Sequence, residues 1–417
     1  MNFSSLLNRD IHCACTRTHR CDLRQFCTGS SVLENLPQMT EPYRRIFLLS
    51  DVHTEDVAGR RVRALLGDRV AGSLTYPDEH LVPDEEAEKK AWDACPADAD
   101  FVLAVGSGVL NDLGKFTAYR RTVPCGIVAT APSMDGFASS GAAMIERGMK
   151  VTHTMRAPEL ILGDTDILCA APAAMIRSGY ADIIGKYSAL CDWKLAHLVH
   201  GEPLCPMIYS TVKNATDEVR SLASALVRRD KDAVGRLFEI LVLVGACLTL
   251  QGSTRPGSGS EHHLSHYFEI TGLLTNRPHL VHGIDVGYAS VITALLREKL
   301  AAVEHPRFTR VPDEQRLTAY REIYGPVASE VWDLQKQAGR YDAPLPAAYT
   351  EKWDEIRAIL SECPTAAEMQ TMLTDAGFDG LEFTRCYTRK RVEQGVRWGK
   401  DLKDRYSVLW LWSEIEK

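Results

Sequence analysis

Three histidines and one carboxylate carry the sharpest chemical signal in this chain. In Arg255-Pro256-Gly257-Ser258-Gly259-Ser260-Glu261-His262-His263-Leu264-Ser265-His266 a Gly/Ser linker runs into a short helical pattern. His262 and His266 stand four apart there, hence on one helix face. His263 falls on another face and reads as structural or solvent-facing. His282-Gly283 follows the break Asn276-Arg277-Pro278, which can fold a further imidazole back beside the pair. Three neutral imidazoles suit zinc, and a hard ligand added to them suits zinc, nickel or iron. Asp182 is the candidate hard donor, because a carboxylate on the apolar stretch Ala181-Asp182-Ile183-Ile184-Gly185, read as the opening turn of a helix, needs a partner or a capping role. Lys186, four residues on, shares that face and either neutralises a substrate phosphate or pairs with the carboxylate. Taken singly, each histidine is more often packed or exposed than ligating; together they favour a metal centre.

Two turns offer binding surface for a second molecule. Val105-Gly106-Ser107-Gly108-Val109-Leu110-Asn111-Asp112-Leu113-Gly114-Lys115 starts at a strand end and opens a helix. Its glycines permit close approach, and the first N–H groups of the helix can receive a pyrophosphate. The full Gly-x-Gly-x-x-Gly fingerprint is not there, so a plain tight turn is an equal reading. The second turn, Thr130 to Gly141, gathers Thr130, Ser133, Ser139 and Ser140 after another strand, where open sheets bind ligands. Within it Asp135 either holds a substrate hydroxyl or makes an Asx turn. Asp51, at the end of an earlier strand, can accept from a ribose hydroxyl, while a capping role for Thr54 or Asp56 is no weaker a reading.

These residues have to be positioned by two kinds of structure. Short apolar runs at Arg45–Ser50, Phe101–Val105 and Cys125–Ala129 alternate with helical patterns, which predicts a parallel sheet covered by helices. After about residue 170 the pattern turns to long helices, among them 182–199, 211–229, 232–250, 261–271 and 285–298. The expected organisation is an α/β Rossmann-like nicotinamide-binding domain over residues 1–168, with an N-terminal hairpin, and an all-α metal and substrate domain over 169–417. The boundary is placed near 165–172, where Pro172 can open a helix.

Composition bounds the function. With 417 residues the chain exceeds what one core usually supports. Lys and Arg number 48 against 55 Asp and Glu, a formal charge of -7 without a long basic block, which argues against nucleic acid as a partner. The opening residues show no cationic and apolar succession of a secretion signal. The run Leu237–Leu250 is too short to span a bilayer and reads as a core helix, so no membrane insertion is expected. Twelve scattered cysteines fit a reduced, cytoplasmic protein. The denser group Cys13, Cys15, His19, Cys21 and Cys27 has a Cys-x-Cys spacing too tight for the usual zinc knuckle, which favours buried thiols and a turn in a hairpin over a structural zinc site.

The segments GSGVLNDLGK (106–115), TAPSMDGFASSGA (130–142), SGYADIIGKYSALCDWKLAH (178–197), RPGSGSEHHLSH (255–266) and HGIDVGY (282–288) occur in an order that resembles the bacterial branch of the sn-glycerol-1-phosphate dehydrogenases. That family lies in the superfamily of iron-containing alcohol dehydrogenase, glycerol dehydrogenase and dehydroquinate synthase, and the resemblance runs over about residues 40–415. It implies a dehydroquinate synthase-like fold with NAD or NADP on the first domain. Gly106, Ser107, Gly108 and Asp112 would lie near the phosphates, Thr130, Ser133 and Ser139 along the turn beside ribose and nicotinamide, and Asp51 by the adenosine ribose. It implies one divalent metal, Zn or Ni, on Asp182, His262 and His282 in a cleft between the domains. Asp135 would meet the substrate hydroxyls, His266 would stand beside substrate outside the metal's ligands, and Lys186 would serve catalysis.

The implied reaction interconverts dihydroxyacetone phosphate and sn-glycerol 1-phosphate, with a small phosphorylated substrate and a homodimer as the assembly. Four-ligand members of the superfamily carry a histidine where this chain has Lys186, which favours the three-ligand branch. Dehydroquinate synthases have a glutamate in place of Asp182, which makes a cyclase the weaker alternative. A dehydrogenase for another polyol or sugar phosphate is the nearer one. A nucleotide-binding or metal-storage protein without hydride transfer is the alternative of another class, and the coincidence of glycine turn, Asp135 and the Asp/His/His set argues against it.

Overall fold

Ile46–Asp51 and Phe101–Gly106 are apolar without alternation, as strands covered on both faces must be, and they lie side by side in parallel register with Leu49 opposite Ala104. The computed structural model describes residues 7–78, 80–310 and 312–416. In chain order its strands are β1 (Asp10–His12), β2 (Thr18–Arg20), β3 (Gln25–Gly29), β4 (Ile46–Asp51), β5 (Val70–Tyr76), β6 (Phe101–Gly106), β7 (Cys125–Ala129), β8 (Gly141–Glu146), β9 (Met149–Thr154) and β10 (Leu160–Asp164). Six of them form one parallel sheet in the order β3-β10-β7-β6-β4-β5. From β4 the chain first builds outward to β5 and then returns to β6 on the other side. That reversal places a crevice outside the carboxyl ends of β4 and β6, where open α/β sheets take their ligands.

The three expected strands are present, and β3, β5 and β10 join them. β3 and β5 are edge strands with half-exposed, polar or glycine-containing sequences, QFCTG and VAGSLTY, so neither offers a continuous apolar run. β10 is only five residues long. β1 and β2 form the expected N-terminal hairpin.

The chain groups into two compact units, one comprising residues 1–146, 150–183 and 217–254, the other 147–149, 184–216 and 255–417. A single boundary near 165–172 does not describe this path, because the helix Lys231–Gln251 returns to the sheet unit. Its Phe238 ring lies 6.0 Å from Phe26 of β3 and 5.3 Å from Phe137. That helix is also longer than the apolar run predicts. At 21 residues it is long and apolar enough to cross a membrane, yet 83% of its apolar window is buried inside the protein, as befits a core helix. The secretion-signal reading rests on residues 1–20, of which 1–6 lie outside the described residues, as does Glu79 of the surface connection after β5.

The second unit is built of helices, including Lys186–His200, Ser260–Thr275, His282–Ala301, Trp353–Ser361 and Val408–Glu414. Leu195, Leu300, Trp353, Ile356 and Trp410 share its core. One expected helix start moves. Asp182 lies in the last turn of Ala173–Ile184, not in an opening turn, and Lys186 begins the next helix after Gly185. The sequence Ser178-Gly179 reads as a break because glycine disfavours helix; here the helix runs through it.

Candidate active site

In the sheet unit β6 ends at Gly106, and Ser107 precedes the helix Gly108–Arg121, so the first N–H groups of that helix face the crevice end of the strand. The N–H of Thr130 donates to the carbonyl of Gly106 at 3.0 Å, and the hydroxyls of Ser107 and Ser133 are hydrogen-bonded to each other. Gly106, Ser107, Gly108, Thr130 and Ser133 therefore belong to one wall. Asp51 ends the neighbouring strand, and its Oδ1 accepts from the N–H groups of His53 and Thr54 at 2.9 and 2.8 Å while Thr54 Oγ1 accepts from its own N–H, a capping box. Asp112 is engaged within the fold: Oδ2 accepts from Ala143 N–H at 3.1 Å and Oδ1 pairs with Lys115 at 2.9 Å.

Lys115, which the spacing of the glycine turn does not single out, braces the second turn. Its buried ammonium donates to the carbonyls of Gly136, Ser139 and Gly141. The Ser139 hydroxyl accepts from Gly141 N–H, so Ser139 stabilises the turn as well. Two glycines let helices press on the same loop. A methyl at Gly179 would overlap the carbonyl oxygen of Pro132, and one at Gly245 would overlap that of Asp135. Gly179 is thus required by close approach, which is why the helix tolerates it. Ser178 Oγ donates to Ser133 O at 2.8 Å. One turn further, the fully buried Asp182 accepts from Asp135 N–H through Oδ2 at 2.9 Å.

In the helical unit His262 and His266 lie on one face of Ser260–Thr275, and His282 opens the next helix. Their ring centroids are 5.2 Å apart for His262 and His282, 5.6 Å for His266 and His282, and 6.2 Å for His262 and His266. His262 Nδ1 donates to the fully buried Glu261 at 2.6 Å, and the same carboxylate oxygen accepts from Gly259 N–H at 2.8 Å. His282 Nδ1 lies 3.3 Å from Ser265 Oγ. Partners on Nδ1 make Nε2 the ligating nitrogen of each ring. Glu261 escapes a reading by spacing because adjacent helix residues do not share a face. His263 is buried, and desolvation followed by nearby cationic side chains holds its imidazole well below the usual range, hence neutral.

Asp182 belongs to the sheet unit, and His262 and His282 belong to the helical unit. A buried carboxylate and oriented imidazoles are each of the donor type that a divalent metal takes. Lys186 is fully buried at the start of its helix. Arg255 is bound to both oxygens of Glu202 at 2.5 and 2.7 Å and to Tyr406 O at 2.8 Å.

Residues 28–172 match the family model for iron-containing alcohol dehydrogenase. The chain is 31% identical to the NAD(P)+ glycerol-1-phosphate dehydrogenase of Bacillus licheniformis over 354 residues, 79% of this chain and 86% of the relative. It is 31% identical to the glycerol-1-phosphate dehydrogenase of Methanoculleus marisnigri, over 71% of this chain and 84% of that one. Among solved structures, an iron-containing alcohol dehydrogenase from Thermococcus thioreducens superposes with a TM-score of 0.59 at 14% identity, covering 91% of each chain. Glycerol dehydrogenase from Schizosaccharomyces pombe gives 0.54 at 16% identity, covering 85% of this chain and 92% of that one. At such identities these two superpositions establish the fold.

Proposed function

Because the chain belongs to the glycerol-1-phosphate dehydrogenase family, we propose that it interconverts dihydroxyacetone phosphate and sn-glycerol 1-phosphate with a nicotinamide cofactor and a divalent metal. The observation that carries this reading is the pair His262 and His282, 5.2 Å apart between ring centroids and each with a partner on Nδ1, in a chain with that ancestry; Asp182 is the third donor of the reading. These three residues hold the metal, with Glu261 and Ser265 orienting the imidazoles and Asp135 N–H orienting the carboxylate. When bound, the nicotinamide supplies hydride and the cation supplies polarisation of the carbonyl.

The protein's own groups do the rest. The N–H groups that open Gly108–Arg121 receive the dinucleotide's phosphates, and the Ser107 and Ser133 pair lines their approach. Asp135 accepts from a substrate hydroxyl and so fixes which carbon faces the cofactor. His266, beside the ligand histidines, holds the proton required by the alkoxide oxygen. Lys186 carries the positive charge assigned to the substrate's phosphate. The same reading includes Zn or Ni as the metal, NADH or NADPH as reductant, a homodimer, and a cytoplasmic setting, for which the scattering of twelve cysteines along the chain speaks.

The test is metal-stripped enzyme reconstituted separately with Zn and Ni and assayed with dihydroxyacetone phosphate against NADH and NADPH. Activity should return with metal and yield sn-glycerol 1-phosphate in a stereospecific assay. His262→Ala should lose both metal and turnover while keeping the fold; full activity at normal metal content would remove the ligand assignment. Absence of turnover in enzyme with confirmed metal and cofactor binding would overturn the substrate in favour of another phosphorylated polyol or ketose.

A further inference from the structure

Two thiols that the reaction does not use meet inside the helical unit. Cys191 lies in the helix Lys186–His200, and Cys363 follows the end of Trp353–Ser361; both belong to the second compact unit. Sγ of Cys363 lies 3.3 Å from Tyr187 O, and Sγ of Cys191 lies 3.7 Å from Ile359 O. Tyr187 precedes Cys191 by one helical turn and Ile359 stands in the same relation to Cys363, so each thiol rests against the backbone just before the other. The two thiols are also hydrogen-bonded to each other, and both are free cysteines. Cys191 is buried, whereas Cys363 is half-buried and so within reach of a small solute.

A second feature comes from the neighbouring helix His282–Ala301. Its Arg297 guanidinium, 2% exposed, donates through Nη1 to Ser188 Oγ at 2.5 Å and to Thr293 Oγ1 at 3.3 Å. Its Nε and Nη2 have no hydrogen-bond partner among the described residues. A buried positive charge without a counter-anion is costly, and a thiolate supplies the missing charge. The hydrogen bond with Cys191 outweighs burial and, with help from Arg297, holds the Cys363 thiol below its usual range. The same bond, and after it burial, pushes Cys191 well above it. The charges of Asp192 and Glu362 oppose ionisation of Cys363, and Glu362 is itself paired with Lys194. Where burial dominates, as at Cys21 and Cys125, the thiols are pushed up to about 11 and about 12.

We propose that Cys363 is a site of oxidation by peroxide, with Cys191 as its resolving partner, and that the product is a reversible disulfide tying the helix Lys186–His200 to the segment after Trp353–Ser361. The Cys363 thiolate attacks one peroxide oxygen, the O–O bond breaks, and the hydroxide that leaves takes up a proton as water, giving a sulfenic acid. That step removes the negative charge facing Cys191. The Cys191 sulfur then attacks the sulfenic sulfur, its proton leaves with the displaced hydroxide as a second water, and the S–S bond forms. Two thiols are oxidised by two electrons in all, and one hydrogen peroxide is reduced to two waters. Disulfides of reducing compartments are usually of this transient kind, and a thiol reductant reverses them.

The test uses full-length protein treated with hydrogen peroxide, alkylated and digested with trypsin, which releases Cys191 in the peptide 187–194 and Cys363 in 358–385. Mass spectrometry should find these two peptides linked ahead of any other cysteine pair, and dithiothreitol should separate them. Cys191→Ser should instead accumulate sulfenic acid at Cys363, trapped as its dimedone adduct, while Cys363→Ser should leave Cys191 a free thiol. Arg297→Gln should slow oxidation of Cys363 by about tenfold through loss of thiolate. Peroxide-treated wild-type protein in which the two peptides stay unlinked would overturn the proposal, however the variants fold. So would oxidation of Cys191 at the wild-type rate in folded Cys363→Ser.

Discussion

The backbone N–H of Asp135 donates to Oδ2 of Asp182 at 2.9 Å, so the main chain of the turn orients the carboxylate proposed as a metal ligand. Replacing the Asp135 side chain leaves that bond available. Asp135→Asn should therefore keep its metal while kcat/KM for dihydroxyacetone phosphate drops by about 10–100-fold, the loss expected for one hydrogen bond to a charged group. Metal content and steady-state kinetics measured together check this; unchanged kinetics would refute the substrate role.

Glu261 holds His262 by Nδ1 from a fully buried position. In Glu261→Gln the amide oxygen can still accept from Gly259 N–H or from the ring, but its charge is gone. Metal affinity should weaken by about 10–100-fold, as is usual when the partner of a ligating histidine is altered. Chelator competition gives the number, and equal affinity in the variant and the parent would count against an orienting role.

Gly179→Ala tests the contact between the helix bearing Asp182 and the turn at Pro132. The added methyl meets a backbone oxygen, not a flexible side chain. Overpacking of this kind costs about 1–3 kcal/mol, and a displacement of the turn by about 1 Å can lower turnover about 100-fold. Thermal unfolding and kinetics should both respond, and wild-type values in each would show that the loop yields without consequence.

A pH dependence follows from Asp192, whose carboxylate accepts from the N–H groups of Ser260 and Val408 at 2.6 and 2.7 Å. Burial, and after it the charge of Glu261, pushes this carboxyl up to about 6 from an ordinary 3.8. Within that window the folded chain keeps a proton that the unfolded chain has released. Its contribution is full below the unfolded value and is lost as pH rises through the folded one. Relative to Asp192→Asn, wild-type stability should fall by on the order of 3 kcal/mol from about pH 4 to above pH 6 and then level off. Urea unfolding of both proteins across this range measures the difference, and a flat difference would place the carboxyl at its ordinary value.

Chemistry concentrated in short segments was legible without coordinates. His262 and His266 four residues apart, the glycine turn after Val105, and the serines after Ala129 all lie where spacing puts them. What escaped is mostly what depends on distant neighbours. Lys115 looks like an ordinary helical lysine until three carbonyls of another turn are seen around its ammonium. Gly179 imitates a helix break, because the carbonyl that demands a glycine belongs to Pro132. Edge strands β3 and β5 lack a continuous apolar signature since water reaches part of them. Arg255 has the charge to meet a phosphate, but the geometry gives that charge to Glu202.

The return of residues 217–254 to the sheet unit has a consequence for biosynthesis. Domains commonly acquire structure in the order in which they leave the ribosome, but this unit cannot be completed in that order. Phe26 and Phe137 emerge long before Phe238, the ring that packs against both of them. Until the helix Lys231–Gln251 is synthesised, an apolar portion of the sheet unit remains uncovered, and a nascent chain halted after β10 presents that surface to chaperones or to other chains. A truncation near residue 168 is accordingly a poor vehicle for a soluble cofactor-binding fragment, whereas one designed around the unit must carry residues through 254.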